Sequence, residues 1–238
     1  MDRRGFLKYA GATVAVVGVS ALGAYYLLRP QPQIVSPTTI SSSSLAKSTP
    51  SKSLSTVSTS TASIQAYSGV SGAVHQSNFD RLSGQGYRII SLSVYGEPTS
   101  PLYAAVWAQR PGAAWVEVHG VNATDYQSFF NTWTAKGYAP TIISATGLVA
   151  NAVFAAVFEQ GISGSQWLAR NDMTSGQATN SSTFQYQNAL ASKQNMILQS
   201  FAIYGNLNDR RYAAIWQANP GFVKWHVHPA DTATNYQT

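Results

Sequence analysis

One five-residue pattern occurs three times, and it constrains the fold more than any other feature of the chain. Tyr103-Ala104-Ala105-Val106-Trp107 returns as Phe154-Ala155-Ala156-Val157-Phe158 and again as Tyr212-Ala213-Ala214-Ile215-Trp216, at spacings of 51 and 58 residues. A pair ending in Gln precedes each copy: His75-Gln76, Tyr126-Gln127 and Phe184-Gln185, with a fourth at Tyr236-Gln237. A tryptophan follows each copy: Trp115, Trp167 and Trp225. Landmarks that keep their order at near-constant spacing mark tandem structural units, and such periods mean a repeat architecture. The longer second spacing comes from a polar stretch near Thr174–Thr183, which reads as a surface loop.

The second unit is the clearest to read. Tyr126, Phe129, Phe130 and Trp133 fall at i, i+3, i+4 and i+7, one face of a helix. Thr124 or Asp125 offers an N-cap, and Gly137 offers the C-terminal stop. Pro140 opposes a return to helix, and the β-branched run Thr141–Ser144 reads as a strand. Phe154–Phe158 alternates aromatic and small residues, a second strand, and Trp167 opens a third after the turn Gly161–Ser165. The first unit follows with Phe79 and Leu82 on its helix and strands at Arg88–Val94, Tyr103–Ala108 and Trp115–His119. The third follows with a helix at Phe184–Lys193 and strands at Ile197–Tyr204, Tyr212–Gln217 and Phe222–His228. Asn195 there takes the place of the helix-ending glycine, since Asn tolerates a left-handed conformation. One helix and three short strands cannot bury their own apolar faces, so neighbours must share a core. The expected fold is α+β. It consists of tandem units of about 50 residues, each a helix plus three antiparallel strands in a meander, with helices on one face. The expected boundaries are 66–120, 121–173 and 174–229, with 230–238 as the start of a fourth unit.

A helix ending in Gly-Tyr, a strand, Tyr-Ala-Ala-x-Trp, then a strand beginning at Trp resembles the tandem repeat of polyglycine hydrolase-type proteins. The resemblance covers about residues 71–238. Repeats of this kind occur beside β-lactamase-like serine hydrolase domains, and the resemblance places the family's catalytic serine in that separate domain. It therefore carries no catalytic residue onto this chain. The residues it does single out are Tyr103, Trp107, Trp115, Phe154, Phe158, Trp167, Tyr212, Trp216 and Trp225, and these read as repeat core. Thr234–Thr238 matches Thr124–Ser128 and then stops, so either the reading frame ends early or the chain is a fragment of a longer protein.

The first third of the chain has a different character. The formal net charge is +6, with nine Asp/Glu and no cysteine. Residues 1–65 hold six Lys/Arg against one Asp, +5, and residues 66–238 hold nine against eight, +1. Without cysteine there is no disulfide framework, thiolate metal site or thiol catalysis. Because the excess charge sits outside the repeats, nucleic acid is not read as a partner. Arg3-Arg4-Gly5-Phe6-Leu7-Lys8 resembles the twin-arginine export signal, with Arg3, Arg4, Phe6, Leu7 and Lys8 as its matching positions. The resemblance implies the twin-arginine translocase as a partner during export. Tyr9–Leu28 is an uncharged run of 20 residues, long enough at about 1.5 Å per residue to cross a bilayer. It is either removed near Ala21-Leu22-Gly23 or kept as a membrane anchor, with the basic cluster in the cytoplasm. From Ser36 to Ser63, 18 of 28 residues are Ser or Thr, so residues 29–65 read as a disordered linker and a candidate for O-glycosylation.

Several short motifs resemble chemical signatures. Ser44-Leu45-Ala46-Lys47 spells S-x-x-K but lies in low-complexity sequence, where such a match arises by chance. His226-Val227-His228 places two imidazoles on one strand face, and the sequence shows no third ligand. Tyr204-Gly205-Asn206 and Asp209-Arg210-Arg211 read as turns, and Asn122 and Asn180 begin glycosylation sequons. No catalytic, cofactor or metal set emerges. The chain reads as an exported, non-catalytic module for binding or display at the cell envelope, extracellular or at the cell surface. The alternative is the accessory repeat region of a secreted serine hydrolase. Substituting Arg3→Lys together with Arg4→Lys is expected to abolish export, read by fractionating cells. Unchanged export of the double variant contradicts the twin-arginine reading.

Overall fold

The computed structural model describes residues 63–161 and 166–229. The expected signal at 1–28 and the Ser44/Lys47 pair lie outside these residues, as does nearly all of the expected linker at 29–65. The first unit is β1 (Ile64–Ser71), α1 (Gly72–Gly84), β2 (Tyr87–Tyr95) and β3 (Leu102–Gln109). The second is β4 (Trp115–Val121), α2 (Ala123–Ala135), β5 (Tyr138–Thr146) and β6 (Val153–Gln160). The third is β7 (Trp167–Thr174), α3 (Phe184–Lys193), β8 (Met196–Gly205) and β9 (Arg210–Ala218).

The three sheets have the orders β1-β3-β2, β4-β6-β5 and β7-β9-β8, and every pairing is antiparallel. This corrects the expected meander. The two outer strands of each unit run parallel to each other, joined through the helix, and the motif strand inserts between them as a split βαβ unit. The unit phase also differs from the sequence reading. The Trp115 and Trp167 strands hydrogen-bond within the sheet of the following helix, so each opens a unit instead of closing one. The expected boundaries 66–120 and 121–173 therefore cut through sheets. The first strand of unit one was missed because Ile64 stands where the later units have Trp115 and Trp167. Phe222–His228 is not a strand, since a strand opening a unit pairs with that unit's motif strand and none follows among the described residues.

Local chemistry accounts for the ends of the elements. Asn122, two residues before Thr124 and three before Asp125, is the cap in place of either: its side chain accepts from the backbone N–H of both and opens α2. Gly137 at φ 82° and Asn195 at φ 54° take the left-handed turn after α2 and α3. Each second strand carries a bulge at the same place, between Ile89 and Ser91, Pro140 and Ile142, and Leu198 and Ser200. Pro140 fits because β5 is an edge strand.

The sheets stack face to face, and the motif strand explains how. Tyr103, Ala105 and Trp107 face α1 and share a core with Ala155 and Val157 of β6. Phe154, Ala156 and Phe158, on the opposite face of β6, share the next core with Ala213 and Ile215 of β9. Tyr212, Ala214 and Trp216 face α3, with Trp225 and Val227 packed against them. The second and third motifs thus present large rings to their own helices and ring-free side chains, Ala155 with Val157 and Ala213 with Ile215, to the preceding unit, which lets successive sheets approach closely. The edge strands are joined by hydroxyls. Val94 N–H donates to Ser144 Oγ at 3.0 Å and Ile143 N–H to Ser200 Oγ at 3.0 Å, so each unit caps the exposed backbone of the one before. Replacing the fully buried Phe158 by Ala is expected to cost about 3–5 kcal/mol, while Leu207→Ala, 87 % exposed, should change stability by less than about 0.5 kcal/mol. Chemical denaturation of the two variants checks the contrast.

Candidate functional site

In every unit the first ring of the helix lies against the first ring of the motif, stacked in the first two units and tilted by 30° in the third. The pairs are His75 on Tyr103 at 4.9 Å, Tyr126 on Phe154 at 5.1 Å and Phe184 on Tyr212 at 5.4 Å between ring centroids. In the first unit that ring is an imidazole, and polar groups gather around it. Glu117 and His119 lie two apart on β4, so both point to one face, toward α1. Tyr67 of β1 closes the far side.

The cluster is buried throughout, with His75 at 0 %, His119 at 4 % and Glu117 at 8 % exposure. His119 Nδ1 lies 3.1 Å from both Glu117 oxygens, and His75 Nε2 lies 3.4 Å from Glu117 Oε1. Tyr67 Oη sits 2.7 Å from His75 Nδ1. Burial opposes the Glu117 charge, but the adjacent His119 and His75 outweigh it and hold its carboxyl below the ordinary range. Burial likewise disfavours a charged His119, and the Glu117 carboxylate outweighs it and raises the imidazole's pKa. Burial pushes the Tyr67 phenol up to about 12. The contact thus favours the Glu117 carboxylate and the charged form of His119, with His75 as a second neighbour of the same carboxyl. Their donor atoms and that of His75 all lie within 4.8 Å of one another.

The same seam between the second and third units is apolar at its centre. Pairing through the motif strand puts Glu117 opposite Val157 and Ala169 opposite Ile215, so Ala169 is the counterpart of Glu117. Counting on, Asn171 is the counterpart of His119, while Tyr126 replaces His75. The fold thus closes this seam with a phenol, an alanine and an asparagine where the first seam has two imidazoles and a carboxylate.

The residues singled out in the sequence are dispersed through the cores. Tyr103, Trp107, Phe154, Phe158, Tyr212 and Trp216 are fully buried, and Trp115 and Trp167 nearly so. Trp225 is half-buried and donates through Nε1 to the Met196 carbonyl at 3.2 Å. His226 and His228 are exposed and far in sequence from the cluster, and Gly205 at φ 89° turns β8 into β9. Sequence reasoning missed the assembly of His75, Glu117 and His119. Two departures from the repeat could have revealed it: an imidazole where the other units have a plain aromatic, and Glu-x-His on a strand whose counterpart has Ala169-x-Asn171.

A second polar set crosses the same seam at its other end. Arg88 meets Glu159 at 3.1 Å, lies over the Trp115 ring at 5.7 Å and donates to the Ala113 carbonyl. Gly112 leaves room for the guanidinium, since a Cβ there would come within 2.8 Å of it.

Removing the carboxylate while keeping both imidazoles leaves a buried partner without its counter-charge. Glu117→Ala should therefore cost about 3–5 kcal/mol. Denaturant titration at neutral pH measures it, and a loss below about 1 kcal/mol would mean that the buried pair contributes little.

Among the described residues, no helix is long and apolar enough to cross a membrane. A family model described as polyglycine hydrolase-like, structural repeat matches residues 61–110, 112–161 and 164–219. These segments coincide with the three hydrogen-bonded sheets and their helices. By sequence and by topology, this chain belongs to the polyglycine hydrolase-like structural repeat family.

Proposed function

We propose that the chain is an exported, non-catalytic repeat module that binds or displays a partner at the cell envelope. Arg3–Lys8 directs its export, Tyr9–Leu28 serves as signal or anchor, and the linker expected at 29–65, less the residues that β1 takes from Ile64 on, acts as a spacer that reaches on the order of 100 Å when extended. The reading is carried by a groove of about 570 Å3 along the second strands of all three units. It is lined by Ile90–Tyr95 of β2, Thr141–Thr146 of β5 and residues 199–203 of β8. These are edge strands, so the groove offers backbone groups beside the hydroxyls of Ser91, Ser93, Thr141 and Thr146. Equivalent positions recur from unit to unit, which suits an extended polymer with a repeating backbone, such as a peptide or glycan strand. The core placement of the motif aromatics supports a structural role for them.

The description polyglycine hydrolase-like favours a second reading, in which these repeats are the accessory region of a secreted β-lactamase-like serine hydrolase. Mapping the transcript and the mass of the mature protein separates the two. A continuous frame into a domain with a helical S-x-x-K overturns the non-catalytic reading. For the groove, Ile90→Arg with Gln199→Arg introduces two cations at exposed positions. Co-sedimentation of the purified chain with isolated envelopes should fall about tenfold or more, with Tm unchanged. Equal binding by the variant contradicts the groove as the contact surface.

A further inference from the structure

We propose that His75, Glu117 and His119 form a binding site for a divalent transition-metal ion of the zinc class, at the seam between the first two units. Their ligand atoms, one from each side chain, lie within 4.8 Å of one another. The spacings are informative. A charge-assisted N–H···O bond closes to about 2.7–2.9 Å. Here the nitrogen–oxygen distances are 3.1 Å from His119 and 3.4 Å from His75. Two ligands bonded at about 2.0–2.1 Å to one tetrahedral ion lie about 3.3 Å apart. Both nitrogen–oxygen spacings thus fit two edges of a shared coordination sphere, and the third, between the two imidazoles, is no more than 4.8 Å.

The outer contacts have the form a metal site requires. His75 can ligate through Nε2 only if Nδ1 carries the proton, and Tyr67 Oη, 2.7 Å from Nδ1, can accept it. On its other side the His119 ring lies beside the backbone of Gly72. Two imidazoles and a carboxylate are intermediate donors that suit zinc and its neighbours in the transition series, whereas calcium and magnesium favour all-oxygen sets. Three protein ligands leave one position for a water or another small ligand. The next seam keeps the same ring stack with Tyr126 and Ala169, so packing alone does not require the polar trio. Because all three side chains are buried, the ion must enter before α1 and β4 close together, which couples loading to folding.

The test uses the full-length chain, unfolded in chelator and refolded with Zn2+, with Co2+, or without metal. Elemental analysis should find one ion per chain. The Co2+ form should show the visible absorption of a low-coordinate nitrogen/oxygen site, and Tm should be higher with metal than without. Glu117→Gln, close in size to Glu, should lower the apparent affinity about a hundredfold or more. His226→Ala with His228→Ala removes the exposed histidine pair and should keep the ion and the spectrum. Should the wild-type chain refold with no bound ion and no Co2+ spectrum, the proposal is overturned, and the cluster is a buried ion-pair network. Loss of the ion in the His226/His228 variant also overturns it, because the exposed pair is then the binding site. If Glu117→Gln fails to fold, the wild-type stoichiometry and spectrum still decide. Envelope binding through the groove is read separately and does not depend on the outcome.

Discussion

The structure depends on the two-faced burial of the motif strands. In β6 every residue from Phe154 to Phe158 is buried, three on the core of its own helix and two on that of the preceding unit. Burying a large apolar side chain is worth about 1.5–3 kcal/mol, and a single unit offers only one face of its sheet to its helix. Stacking supplies the other face. The small residues of the motif permit this, because Ala155 and Ala213 leave the backbone of one sheet close to the rings of the sheet before it. Rings and alanines in alternation are therefore one device, a large face that fills a core and a small face that lets the next unit seat on it.

Stacked sheets leave three second strands at their edges, and the edges create a risk as well as a surface. An unpaired edge recruits other chains. Ser144 and Ser200 reduce that risk by capping the neighbouring strand with a hydroxyl, and Gly205 N–H donates to the Gly147 carbonyl at 2.8 Å at the strand ends. The part of the edge left open forms the groove. Its chemistry, hydroxyls beside backbone amides, follows from the same residues that join the units.

Much of the architecture was legible in the sequence because the repeat supplied three independent readings of one unit. Phe184–Lys193 matches the helix expected there, and the strands around each motif fall within two residues of expectation at either end. What escaped was connectivity. Periodicity shows that Trp115 begins a strand, but only hydrogen bonding shows that this strand belongs with the helix after it. The first strand escaped because Ile-Gln-Ala-Tyr-Ser carries no tryptophan and only weak alternation. The polar trio escaped because its members come from two units and lie 42 residues apart at the His75–Glu117 contact. Proximity of that kind follows from the stacking itself, which no single unit contains. Deviation from the repeat was nonetheless visible, and His75 among aromatics is its clearest trace.

The units share cores and should therefore stand or fall together. Native-state hydrogen exchange on the amides of β3, β6 and β9 measures this directly. With shared cores, the most protected amides of all three strands exchange through one opening with the same free energy and the same denaturant dependence. Distinct openings, with β9 exchanging at a lower free energy while β3 and β6 stay protected, would contradict it.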